Sequence, residues 1–160
     1  MGEIVIYIRG IDYILKNNHV EILISDGRIP SGGSEFGHVA VNIGGLVYGR
    51  SPGSWDIREK RTYIEKQQTY RKTRGFVLQL SEKDKLKLLA SIEKKIVVNA
   101  KYGVLDHSCS KEIVAAFGDI GVNVVDPRWV FGDVFSPADM ANFLSKSKSV
   151  VKMNDYPKIQ

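Results

Sequence analysis

Residues 37–51 read Gly-His-Val-Ala-Val-Asn-Ile-Gly-Gly-Leu-Val-Tyr-Gly-Arg-Ser, two apolar runs around the pair Gly44-Gly45. A two-residue hairpin turn whose twist matches its strands needs positive φ, which glycine adopts without steric cost. With Gly44 and Gly45 as the turn, Ile43 faces Leu46, Val41 faces Tyr48 and His38 lies opposite Ser51. Strand alternation then places His38, Ala40 and Asn42 on one face. The hairpin is preceded by Ser25 to Gly37, SDGRIPSGGSEFG, whose Gly, Ser and Pro content predicts a surface loop ending beside His38.

Outward from the hairpin, Ile4 to Ile8 and Val20 to Ile24 are β-branched runs of strand length. Residues 52–74 carry Arg58, Lys60, Arg61, Arg71, Lys72 and Arg74 with weak periodicity, and a solvated basic face is the expected reading, with a grip on carboxylates as its alternative. Gly75 to Leu80 predicts a strand and Ser81 to Val98 a helix, capped by Ser81, with Leu86, Leu89, Ile92 and Ile96 at helical spacing. A connector, Asn99 to Ser108, leads to a helix from Cys109 to Phe117 ended by Gly118 or Gly121. A third helix starts at Ser136-Pro137, with Met140, Phe143 and Leu144 inward, and a last strand is expected near Val150.

The 160 residues suit one domain spanning 1–160, and 43% apolar with 26% charged residues suffices for a core without staples. A formal net charge of +5 favours anionic partners without naming one. MGEIVIYIRG carries an acidic residue at position 3 and too short an apolar run for a signal peptide or a membrane span, so cytoplasmic synthesis and no membrane anchor are expected.

The single Cys109 has no internal disulfide partner. At a helix start, unpaired N–H groups and the helix dipole favour the thiolate, and the same N–H groups can bind an oxyanion. The alternative is a buried small apolar residue. His38, fixed on a strand beside a loop, has the placement of a general base. His19 opens an apolar strand, and His107 is too close in sequence to align with the sulfur. Asn42 and Ser51 are candidates to orient the His38 ring, with Asp56 at longer reach, whereas Arg50 would repel an imidazolium. Asp106, His107, Cys109 and His38 lack metal-site spacing, so no metal and no cofactor is expected. Trp55 and Trp129 are read as core or cleft wall.

Gly37-His38-Val39-Ala40-Val41 with its Gly-turn hairpin, followed later by Tyr102-Gly103-Val104-Leu105-Asp106-His107-Ser108-Cys109-Ser110, resembles the circularly permuted NlpC/P60 (papain-like) superfamily. The likeness covers roughly residues 36 to 145, and its specific part is the two short motifs. It implies an α+β papain-like fold, an antiparallel sheet or small barrel packed against a helix that carries the Cys. It further implies a cysteine peptidase or amidase with Cys109 as nucleophile, His38 as base, and Tyr102 and Ser108 beside the oxyanion; packing between elements is the alternative for Tyr102. Ser108 stands where many members have Asn, and Gly49-Arg50-Ser51 stands where many have a polar third residue. Bacterial members resembling this chain cleave peptidoglycan as secreted antibacterial toxins. They imply a peptidoglycan stem-peptide substrate rather than nucleic acid, delivery by an apparatus such as type VI secretion into a target periplasm, and an immunity protein. The alternatives are a lipid thioesterase or acyltransferase of the lecithin:retinol acyltransferase type, and a non-catalytic binding module.

Overall fold

The computed structural model describes residues 19–25, 38–51, 54–102, 109–126 and 137–159. Its centre is the expected hairpin. Strands β2 (His38–Ile43) and β3 (Leu46–Ser51) pair with Ile43 opposite Leu46 and Val41 opposite Tyr48, and Gly44 and Gly45 turn at φ 64° and 105°. The Gly45 N–H donates to Asn42 Oδ1 at 2.9 Å, which ties the turn to the strand before it.

Strand β1 (His19–Ser25) lies between β2 and β5 (Thr73–Gln79), and every residue after His19 is buried, as expected of a strand covered on both faces. Strand β4 (Ser54–Glu59) extends the sheet beyond β3, and β6 (Val150–Tyr156) pairs with β5. The order is β4-β3-β2-β1-β5-β6, antiparallel throughout. Among the described residues this sheet is open, with β4 and β6 at its edges, and the small barrel offered as one form of the fold is not formed by these strands. What the structure supports is a mixed α+β fold. The expected strand from Ile4 to Ile8 lies outside the described residues.

Alternation along the strands divides the core. One face carries Val20, Ile22, Ile24, Val39, Val41, Ile43, Leu46, Tyr48, Phe76 and Leu78. It is covered by α2 (Glu82–Tyr102), α3 (Cys109–Gly118) and α4 (Pro137–Lys146) through Leu88, Leu89, Ile92, Ile113, Phe117, Met140 and Leu144. The other face carries Leu23, Ala40 and Val47 under Tyr63 and Ile64 of α1 (Lys60–Tyr70).

Helix α1 and strand β4 occupy the stretch where periodicity was weak. Only Tyr63, Ile64 and Gln67 of α1 are buried, so its apolar stripe is too narrow to stand out among charged neighbours. Its first N–H, that of Lys60, donates to the Gly45 carbonyl at 2.9 Å, which docks the helix start on the hairpin turn. In α2, Ser81 Oγ accepts from the Asp84 N–H at 3.1 Å, the expected cap. The inner stripe differs from expectation: Leu86 is exposed, and the buried position beside Leu88 and Leu89 is Lys85, whose pKa burial pushes down.

Candidate functional site

His38 is the first residue of β2 and projects, with Ala40 and Asn42, to the α1 side of the sheet. Its ring lies 6.3 Å from that of Tyr63, centroid to centroid, with the planes tilted by 34°. Opposite Ala40 stands Gly49, and a Cβ there would come within 3.0 Å of His38 Nε2. The ring is thus settled over a position that has no side chain. Burial lowers its pKa from 6.5 to about 4, helped by the positive charges of Arg71 and Lys66 and opposed by Asp56, so the imidazole is neutral at pH 7.

On the neighbouring strand, Ser25 is the cross-strand partner of both His38 and Thr73, and its hydroxyl meets that of Thr73 at 2.8 Å. Beyond Gly49, Asp56 continues the row on β4, and both of its carboxylate oxygens accept from Arg58 Nε, at 2.9 and 2.7 Å. The basic stretch is therefore not a uniformly solvated face. Arg58, Lys60, Arg61 and Arg74 are ion-paired with Asp56, Glu21, Glu65 and Asp155, and Arg71 is buried with its Nε donating to Gln67 Oε1 at 2.9 Å.

Cys109 opens α3 as expected. That helix packs across β2, yet it does so through Ile113, Ala116 and Phe117 against the face of Val39, Val41 and Ile43. The sheet therefore lies between the body of α3 and the ring of His38. The structure brings His38 and the Cys109 helix to one strand and sets them on opposite sides of it.

Asn42 does not reach His38. It stands four residues along β2, about 13 Å away at strand rise, and its Oδ1 serves the turn. Ser51 ends β3 and Tyr102 ends α2, and their side chains, like that of Cys109, lie outside the described residues, as does all of Ser108. Trp55 is half-buried against the α2 side of the core, and Trp129 lies outside the described residues. Among the described residues no group of three metal-ligating side chains gathers, and no helix is long and apolar enough to cross a membrane.

A second polar centre, which sequence reasoning missed, is Glu21. Its buried carboxylate accepts from Asn154 Nδ2 and Tyr156 OH at 2.8 Å each and pairs with Lys60 Nζ at 2.8 Å. The signal for it was a lone acid in an apolar strand, VEILI, which calls for partners once both faces are covered. On the opposite face Tyr48 and Trp55 add buried O–H and N–H groups that find no hydrogen-bond partner among the described residues. Burial and then Glu93 push the Tyr48 pKa up.

No protein-family model, curated protein or solved structure matches the chain.

Proposed function

We propose that the protein is a cysteine hydrolase of the papain type that cuts an amide bond in peptidoglycan stem peptides, with Cys109 as nucleophile and His38 as base. One observation carries the reading: the helix that opens with the lone cysteine packs on the strand that opens with His38. The motif resemblance supplies the substrate class, and with it delivery into a target periplasm and an immunity protein. The sulfur adds to the amide carbonyl, the amine leaves with the proton taken by the imidazole, and water releases the acyl group. Because the sheet separates α3 from the ring, sulfur and imidazole have to meet around the end of β2, at its first residue.

A second reading is favoured by the placement of the ring. An imidazole packed over Gly49, beside Tyr63, with a pKa of about 4 is a weak base at neutral pH and suits a structural histidine in a non-catalytic binding module. Purified sacculi incubated with the wild type, Cys109→Ala and His38→Ala separate the two. The hydrolase releases mass-resolved stem fragments and both variants lose at least a hundredfold in rate. Intact sacculi with all three proteins, alongside cleavage of an acyl ester, would transfer the case to the lipid-directed alternative; no turnover of either substrate leaves the binding module.

A further inference from the structure

Gly49 is flanked in register by Ala40 on β2 and by Asp56 on β4, so these three positions form one row on the α1 side of the sheet, next to the row that begins with His38. A Cβ at position 49 would fall 3.0 Å from His38 Nε2 and 3.8 Å from Cε1. Nε2 is thus the ring atom that approaches β3, and Asp56 is the next position beyond the gap. Arg58, two residues along the same strand, grips both carboxylate oxygens and fixes the acid in place.

We propose that Asp56 is a positioning residue for the His38 imidazole, acting across the side-chain-free position 49 as a fixed negative charge that keeps the ring's proton on Nε2 and leaves Nδ1 as the basic nitrogen. The influence crosses space or an intervening water rather than a direct bond. It answers which group takes the place of the third catalytic member, for which Asn42 is spent on the turn. Among the described residues the other groups beside the ring are Arg71 and Lys66, whose positive charges disfavour its protonation as Asp56 favours it, with Tyr63 of α1 and Ser25 of β1. The proposal depends on the hydrolase reading only for its catalytic consequence; the orientation of the ring is measurable without turnover.

The test is two-bond nitrogen–proton correlation of the histidine rings in the full chain at pH 7, with His38 assigned from a His38→Gln spectrum. In the wild type the Nε2–H tautomer should predominate. Asp56→Asn should shift the population toward Nδ1–H at least threefold and lower the His38 titration midpoint, since a charge that favours protonation is removed. Gly49→Ala keeps that charge but displaces Nε2, and should broaden or move the same resonances. Asp56→Glu, which retains the charge, should restore most of the wild-type pattern. Folded Asp56→Asn protein with unchanged tautomer and midpoint overturns the proposal. If Asp56→Asn does not fold, wild-type-like signals in Gly49→Ala overturn it equally. Failure of the hydrolase reading would show as absent sacculus cleavage with the tautomer shift intact.

Discussion

Gly75→Ala should be among the most destabilising single-methyl additions in this chain. A Cβ at position 75 would sit on the Glu21 carboxylate, in overlap with Oε2, 2.7 Å from Cδ and 3.0 Å from Cγ. A clash with the far end of a flexible side chain is ordinarily relieved by swinging it away. Glu21 has no such freedom, because it is buried and three groups from α1 and β6 hold it at 2.8 Å. Moving it abandons an ion pair and leaves the Tyr156 hydroxyl and Asn154 amide without their acceptor. Breaking a buried pair by removing one partner costs about 3–5 kcal/mol; Lys60 is about one-third exposed and recovers part of that from water. Replacing glycine in a strand returns about 0.5–1 kcal/mol of backbone entropy, so the net loss should be about 2–4 kcal/mol. With a urea slope of about 2 kcal/mol per molar, the midpoint should fall by about 1–2 M. The assay is equilibrium urea unfolding at pH 7 of the wild type, Gly75→Ala, Glu21→Ala and the double variant. The alanine at 75 should cost little once Glu21 is already absent. A loss below about 0.5 kcal/mol in the single variant, or full additivity in the double one, would refute the clamp.

Three further outcomes follow from the same geometry. His38 binds a proton in the unfolded chain below its ordinary 6.5 but in the folded chain only below about 4, so stability should be fully present above pH 6.5 and decline as pH falls toward 4, by at most about 3 kcal/mol; His38→Gln should flatten that part of a pH series of urea midpoints. Asn42→Ala removes the acceptor of the Gly45 N–H and should cost about 1–2 kcal/mol by thermal unfolding. Ser81→Ala should lower stability by about 0.5–1 kcal/mol through loss of the α2 cap, and amide exchange should quicken at Asp84 before the middle of the helix.

The β2–β3 hairpin was legible because its information is local: two glycines fix the turn, the turn fixes the register, and alternation fixes the faces. The inner stripe of α2 misled at one position because Lys85 occupies a place that apolar periodicity assigns to a hydrocarbon, leaving Leu86 outside. Helix α1 was hidden for the converse reason, since the small face of the sheet requires only Tyr63 and Ile64 from it. The candidate site divides the same way. That His38 begins a strand and Cys109 begins a helix can be read along the chain, because each depends on a few neighbouring residues. Which side of the sheet α3 covers depends on contacts of Ile113 and Phe117 with residues more than sixty positions away, and no periodicity encodes it. The row that sets Asp56 beyond Gly49 was not legible, because it depends on pairing across two strands rather than on neighbours along the chain.

Whether the sulfur and the imidazole work as a pair can be measured at the one thiol in the chain. The rate of iodoacetamide alkylation of Cys109, followed by intact mass from pH 4 to 10, reports its thiolate fraction. The hydrolase account predicts a midpoint well below the ordinary thiol value of about 8.5, moving upward by about one pH unit or more in His38→Ala while any contribution of the helix start stays behind. Superimposable profiles for wild type and His38→Ala would contradict it, and would leave His38 as a packed ring on the far side of the sheet.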